Sequence, residues 1–193
     1  MTVTKLLIAN RGEIAVRIAR AAADLGLPTV AVHSEDDARS LHLRVADEAR
    51  ALPGRGAAAY LNGRAIIEIA EAAGCDAIHP GYGFLAERAA FARACDEAGL
   101  TFIGPDVAHL ELLGDKVRAR KAAIAADVAI IRGPDHAVSL GEAKAFFASL
   151  EGGAMIIKAL AGGGGRGTRA VMSADGEKAM TLASSESNAV EIG

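Results

Sequence analysis

The chain has 193 residues, 51% of them hydrophobic, and its 24 acidic and 21 basic side chains leave a net charge of −3. With no dense basic run, 4% aromatics and no tryptophan, it offers neither a phosphate-binding surface for nucleic acid nor a stacking platform for single strands. No apolar run reaches membrane-spanning length and the opening MTVTKLLIAN lacks a signal-type core with a cleavage site, so a cytoplasmic protein without a membrane partner is expected.

Residues 5–9 read as a strand and 10–13 as a tight turn. Ile14, Ile18, Ala22 and Leu25 then recur at helical spacing, until Gly26 stops the helix and Pro28 prevents its continuation. Residues 29–33 form a second strand. The alternation continues more loosely with a helix at 64–73, a strand at 76–79, the turn Pro80-Gly81-Tyr82-Gly83, a helix at 87–98 and a strand at 100–103. Cys75 and Cys95 within it have neither metal-ligand nor disulfide spacing and read as small buried residues. Strands alternating with helices specify an open parallel, Rossmann-like sheet with helices on its faces.

Gly104-Pro105 ends that pattern, and 107–113 and 116–126 read as two helices separated by Gly114-Asp115. Beyond Val128 the expected order is strand, helix (140–150), strand (155–159), glycine-rich bend, strand (169–172) and helix (176–183), before a polar, weakly patterned tail over 184–193. A bend that joins two strands belongs to a small α+β layer rather than to a doubly wound sheet. The expected division is 1–114 for the parallel-sheet domain, 115–131 for a helical linker and 132–193 for the α+β subdomain.

The bend carries the strongest chemical signal. Lys158 ends an apolar run, and Gly162, Gly163, Gly164, Gly165, Arg166 and Gly167 follow it. Consecutive glycines let the backbone adopt positive φ and present its N–H groups to an anion, and a lysine adds a compact mobile cation. Gly162, Gly164 and Gly167 fit G-x-G-x-x-G, but a strand follows them, whereas a dinucleotide fingerprint must open a helix. A P-loop needs lysine directly after its last glycine. What remains is a strand–loop–strand hairpin able to close over a triphosphate.

Three further segments sit where ligands bind. Asn10-Arg11-Gly12-Glu13 follows the first strand, at the carboxyl edge of the sheet, although Asn10 taken alone better suits a helix cap with Glu13 in its first turn. His79-Pro80-Gly81-Tyr82-Gly83-Phe84 follows another strand and suits either a ligand loop or a structural turn with a partly buried Tyr82. Lys116, after Gly114-Asp115, falls at the expected domain boundary, where it is either a ligand contact or a solvated charge.

Taken together, the strings KLLIANRGEIAVRIARAAADLG, TVAVHSEDD, AIHPGYGFLAE, FIGP, LLGDKV and IIKALAGGGGRG closely resemble the biotin carboxylase family of ATP-grasp enzymes, from about Lys5 to Met172. The resemblance implies a pre-ATP-grasp domain followed by an ATP-grasp lid subdomain. Its members use MgATP to activate bicarbonate and carboxylate biotin on a carrier domain, serving acyl-CoA or pyruvate carboxylases together with a carboxyltransferase. On that likeness Lys116 and Lys158 contact ATP phosphates, Gly162, Gly163, Gly164, Gly165, Arg166 and Gly167 form the lid loop, and Tyr82 and Gly83 lie near biotin. Arg17, Arg20 and Asp24 on the first helix fall where family members dimerise.

Three stretches depart from the family pattern: Ala86-Glu87-Arg88 after Gly-Phe-Leu, Thr168 after the glycine loop, and 128–133 without the usual prolines. The family's C-terminal ATP-grasp half, with its metal-binding glutamates and its catalytic base and arginine, is expected to be missing. Asp175, Glu177, Glu186 and Glu191 do not replace it, because they fall on an expected helix or in the tail. The isolated chain is therefore expected to be inactive. Two other readings fit the same residues: a non-catalytic dimerising or nucleotide-binding module, and a fragment of another ATP-grasp ligase.

Overall fold

The computed structural model describes residues 2–134, 136, 138–150, 152–159, 168–172 and 190–192. The chain divides into two compact units, Met1–Gly114 and Asp115–Gly193.

In the first unit, β1 (Leu6–Ile8), β2 (Thr29–His33), β3 (Glu48–Ala51), β4 (Ala77–His79) and β5 (Thr101–Phe102) form one parallel sheet in the order β3-β2-β1-β4-β5. Helix α1 (Gly12–Asp24) links β1 to β2, while α2 (His42–Val45) leads into β3. Helices α3 (Gly56–Ala59) and α4 (Gly63–Ala72) carry the chain to β4, and α5 (Ala89–Glu97) carries it to β5 before α6 (Val107–Gly114).

Alternation along the strands feeds two cores. Leu7, Val30, Val32 and Ile78 point to one face, against Tyr60, Ile66 and Phe91. Leu6, Ile8 and Ala77 point to the other, against Ala15, Ile18, Ala19 and Ala22 of α1. The alanines on that helix face let it lie close on the sheet. Because helices cover both faces, the inner strands read as continuous apolar runs. The edge strand β3, Glu-Ala-Arg-Ala, pairs with β2 on one side, is largely exposed, and carries no such signal, so the sequence reading passed over it.

Carboxylates anchor the amino ends of the inner strands. Asp76 accepts from the Thr4 N–H at 2.8 Å, the Lys5 N–H at 3.0 Å and the Thr4 hydroxyl at 2.6 Å. Asp47 accepts from the N–H and hydroxyl of Thr29, both at 2.8 Å. The Thr4 hydroxyl bond holds Asp76 below its usual carboxyl range, and the Thr29 hydroxyl bond does the same for Asp47. Burial likewise lowers the imidazole pKa values of His42 and His79. Groups of both kinds have folded values below their unfolded ones, so each contributes stability above the unfolded value that is lost as pH falls through the folded one. Urea midpoints are therefore expected to fall in two stages on acidification, the first below about pH 6.5 and the second below about pH 4. A midpoint that rises between those values would contradict this account.

In the second unit, α7 (Lys116–Ala125) and α8 (Leu140–Ala148) precede an antiparallel sheet of β6 (Met155–Ala159), β7 (Thr168–Val171) and β8 (Val190–Ile192), ordered β7-β6-β8. Ser139 and Glu142 form a capping box that starts α8. Met155, Ile157 and Val171 pack with Val138 and Ala143, flanked by Phe146 and Phe147.

Two expectations are corrected here. The strand expected just beyond Val128 does not form: residues 128–134 are irregular, and Ile131 is 75% exposed. The Arg120 guanidinium satisfies the carbonyls of Ile131 at 2.6 Å and Gly133 at 3.0 Å, so the apolar run has no strand partner and a side chain takes up its backbone acceptors. The tail also contains a strand. Glu191 lies in β8 opposite Lys158, where only weak patterning was legible. The expected helix over 176–183 lies outside the described residues.

Candidate functional site

The strand order reverses at β1, which has β2 on one side and β4 on the other. In open α/β sheets, ligands bind outside the carboxyl ends of the strands at such a switch point. Here β1 ends in Ala9-Asn10-Arg11-Gly12-Glu13 and β4 ends in His79-Pro80-Gly81-Tyr82-Gly83-Phe84, so the topology brings two of the segments singled out in the sequence side by side.

Asn10 joins them. Its Nδ2 donates to the Pro80 carbonyl at 2.6 Å and to the Tyr82 carbonyl at 2.9 Å, and its Oδ1 accepts from the Arg11 N–H at 2.9 Å. The Ala9 N–H donates to the His79 carbonyl at 3.0 Å. Asn10 is thus no helix cap. The N-terminal flank of α1 is Arg11, which has no side-chain cap bond. Glu13, in the first turn of α1, instead accepts from the Tyr82 hydroxyl, which raises the phenol pKa. Tyr82 itself is 60% exposed, not partly buried.

The loop is tightly wound. Gly81, Gly83 and Phe84 have φ of 67°, 66° and 43°, and the Gly81 N–H donates to His79 Nδ1 at 3.0 Å. Burial lowers the His79 pKa, and in the neutral ring that bond leaves the proton on Nε2. Phe84 stacks on Tyr60 with centroids 5.2 Å apart, and the Arg11 guanidinium lies 5.6 Å from the Tyr60 ring and 5.9 Å from Phe84.

Beneath the stack is a cluster that sequence reasoning missed. Asp37 Oδ2 accepts from Arg11 at 3.0 Å, the Tyr60 hydroxyl at 2.9 Å and the Ser34 hydroxyl at 3.2 Å, while its Oδ1 accepts from Ser40 at 3.3 Å. Burial pushes the Asp37 carboxyl up, but the Tyr60 and Arg11 bonds outweigh it and leave the pKa below its ordinary value. Burial, reinforced by Asp37, pushes the Tyr60 phenol up to about 12. The available signal was positional: Ser34-Glu35-Asp36-Asp37 follows β2 at the same carboxyl edge.

The remaining expected residues sit elsewhere. Arg17, Arg20 and Asp24 are exposed along α1, where with Ser40 and Leu41 they line a groove of about 900 Å³. Lys116 opens α7 directly after Asp115, whose side chain caps that helix through the Arg118 N–H at 3.0 Å. Lys158 lies in β6, paired with Thr168 and Glu191. Gly162, Gly163, Gly164, Gly165, Arg166 and Gly167 lie outside the described residues. Among the described residues no three His, Cys, Asp or Glu side chains are grouped to hold a metal ion, so none is assigned to Mg²⁺. Nor is any described helix long and apolar enough to cross a membrane.

Comparison with known proteins adds to this geometry. The family model "Biotin carboxylase, N-terminal domain" matches residues 2–110, and "Carbamoyl-phosphate synthase L chain, ATP binding domain" matches 115–192. The chain is 51% identical to a pyruvate carboxylase of Staphylococcus aureus over 88% of its own length and 15% of that protein's. It is 49% identical to the biotin carboxylase of Haemophilus influenzae over 96% of its own length and 42% of that protein's. Among solved structures, it superimposes with a TM-score of 0.89 and 37% identity on the biotin carboxylase domain of the Hydrogenobacter thermophilus 2-oxoglutarate carboxylase. That domain was solved as a dimer with MgADP, ADP and bicarbonate, and the match covers 100% of this chain and 44% of that one. The chain thus spans less than half the length of each of these relatives.

Proposed function

This chain belongs to the biotin carboxylase family, and from that premise we propose that it is the N-terminal part of an enzyme that uses MgATP and bicarbonate to carboxylate biotin. The observation that carries the reading is the pair of loops joined by Asn10 at the switch point of the sheet, within the segment that matches the family's N-terminal domain.

Residue by residue, Tyr82 and Gly83 face the biotin ring. Lys116 and Lys158 bind ATP phosphates, and Gly162, Gly163, Gly164, Gly165, Arg166 and Gly167 close over them as a lid. A phosphoryl group in transfer spreads negative charge over its oxygens, and fixed cations in a site closed to water stabilise that charge and shield a hydrolysable intermediate. The carboxylated biotin is carried to a carboxyltransferase by a carrier domain. Arg17, Arg20 and Asp24 supply a dimer face along α1. The division into a domain over 1–114, a linker over 115–131 and a lid subdomain over 132–193 follows the same reading, as does a cytoplasmic location.

The purified 193-residue chain is expected to release no ADP in response to biotin and bicarbonate, whereas the complete gene product does so. Coupled detection of ADP checks both. Turnover by the chain alone, or none by the complete product, would overturn the proposal.

A further inference from the structure

We propose that Asn10 is a positioning residue for the loop over 79–84, holding Tyr82 and Gly83 in the geometry that receives the biotin ring; this rests on the functional reading above. Asn10 is 2% exposed, and both of its amide N–H donors go to the carbonyls on either side of Gly81. Its single acceptor bond goes to the next residue along the chain, Arg11. One side chain therefore joins the ends of two neighbouring strands across sequence separations of 70 and 72 residues.

Residue type is decisive. A helix cap needs only an acceptor, which Ser, Thr or Asp supplies. Here the chemistry demands two donors and one acceptor on a short stem, a set that the Asn carboxamide provides and a carboxylate or hydroxyl does not. The fit is close: a Cβ on Gly81 would lie 2.8 Å from Asn10 Nδ2 and 3.2 Å from Ile14 Cγ1. The loop is also held under strain. Gly81, Gly83 and Phe84 all have positive φ, and a left-handed phenylalanine persists only where its surroundings over-determine it. The Phe84–Tyr60 stack fixes one end of the loop, and the Glu13–Tyr82 bond holds the phenol. Between them Asn10 holds the Pro80 and Tyr82 carbonyls, and the Ala86 N–H holds that of Gly83 at 2.8 Å.

Two variants separate positioning from general stability. Asn10→Asp keeps an acceptor for Arg11 and sets a carboxylate against two carbonyl oxygens, while Asn10→Ala removes the donors without repulsion. On the purified chain, Asn10→Ala is expected to speed hydrogen exchange at the Gly81 and Ala86 amides about tenfold and to leave Leu7 unchanged. In the complete carboxylase, both variants are expected to raise the KM for free biotin about tenfold. The KM for ATP and the biotin-independent, bicarbonate-dependent cleavage of ATP should stay within about twofold of wild type. A core control, Ile66→Val, should lower the unfolding midpoint and leave the biotin KM alone.

A wild-type biotin KM in Asn10→Ala overturns the assignment, and so does an equal fall in biotin-independent ATP cleavage, the mark of a merely structural residue. Should Asn10→Asp fail to fold, Asn10→Ala alone decides. Failure of the functional reading looks different: the wild-type enzyme would then show no biotin-dependent ATP cleavage at all, which overturns both.

Discussion

Asp37→Ala is expected to lower the stability of the N-terminal unit by about 2–4 kcal/mol, because one carboxylate organises four donors drawn from three separate segments. Its side chain is 18% exposed, so water replaces little of what is lost. Tyr60 is fully buried, and without Asp37 its hydroxyl keeps no acceptor among the described contacts. Leaving a buried donor unpaired costs its full desolvation penalty. Arg11 would lose the ion pair that holds it over Tyr60 and Phe84. Urea denaturation of the purified chain measures the loss, and combining it with Tyr60→Phe tests the mechanism. The double variant should cost less than the sum of the single ones, since both remove the same bond. A loss below about 0.5 kcal/mol would show the cluster to be an ordinary surface ion pair.

Lys116→Ala and Lys158→Ala are each expected to slow bicarbonate-dependent ATP cleavage by the complete carboxylase about 10²–10³-fold, the usual effect of removing one fixed group that stabilises charge in a transition state. Lys116 stands in the first turn of α7, where the helix dipole disfavours a cation, so helix stability does not account for a lysine there. Lys158 occupies the central strand of its sheet, beside the segment that leads into the glycines. Arginine at 158 keeps the charge but replaces a compact ammonium with a planar fork, and it is expected to recover only part of the rate. Kinetics at saturating ATP separate these losses from weaker nucleotide binding. Losses below about threefold in both alanine variants would remove the lysines from the phosphate site.

The parallel sheet was legible because its inner strands are apolar on both faces and its helices end at glycines with positive φ. Gly26, Gly74 and Gly99, with φ of 69°, 68° and 71°, stop α1, α4 and α5 where the sequence suggested. Local signals failed where pairing decides the outcome. Glu48–Ala51 and Val190–Ile192 are strands because β2 and β6 accept them, whereas residues 128–131 are apolar yet irregular, with Arg120 taking up the carbonyls of Ile131 and Gly133.

The candidate site divides along the same line. The glycine run, its lysine and the two strand-end motifs are contiguous strings whose chemistry needs only composition and order, so the sequence alone determined the family and the kind of ligand to expect. Asn10, Asp37, Tyr60 and Phe84 each have a partner 23 to 72 residues away, and Asn10 in isolation suits a helix cap better. Only the tertiary structure decided their roles. Strand order 3-2-1-4-5 sets the ends of β1 and β4 side by side, and a side-chain amide finds its acceptors in space, not in sequence.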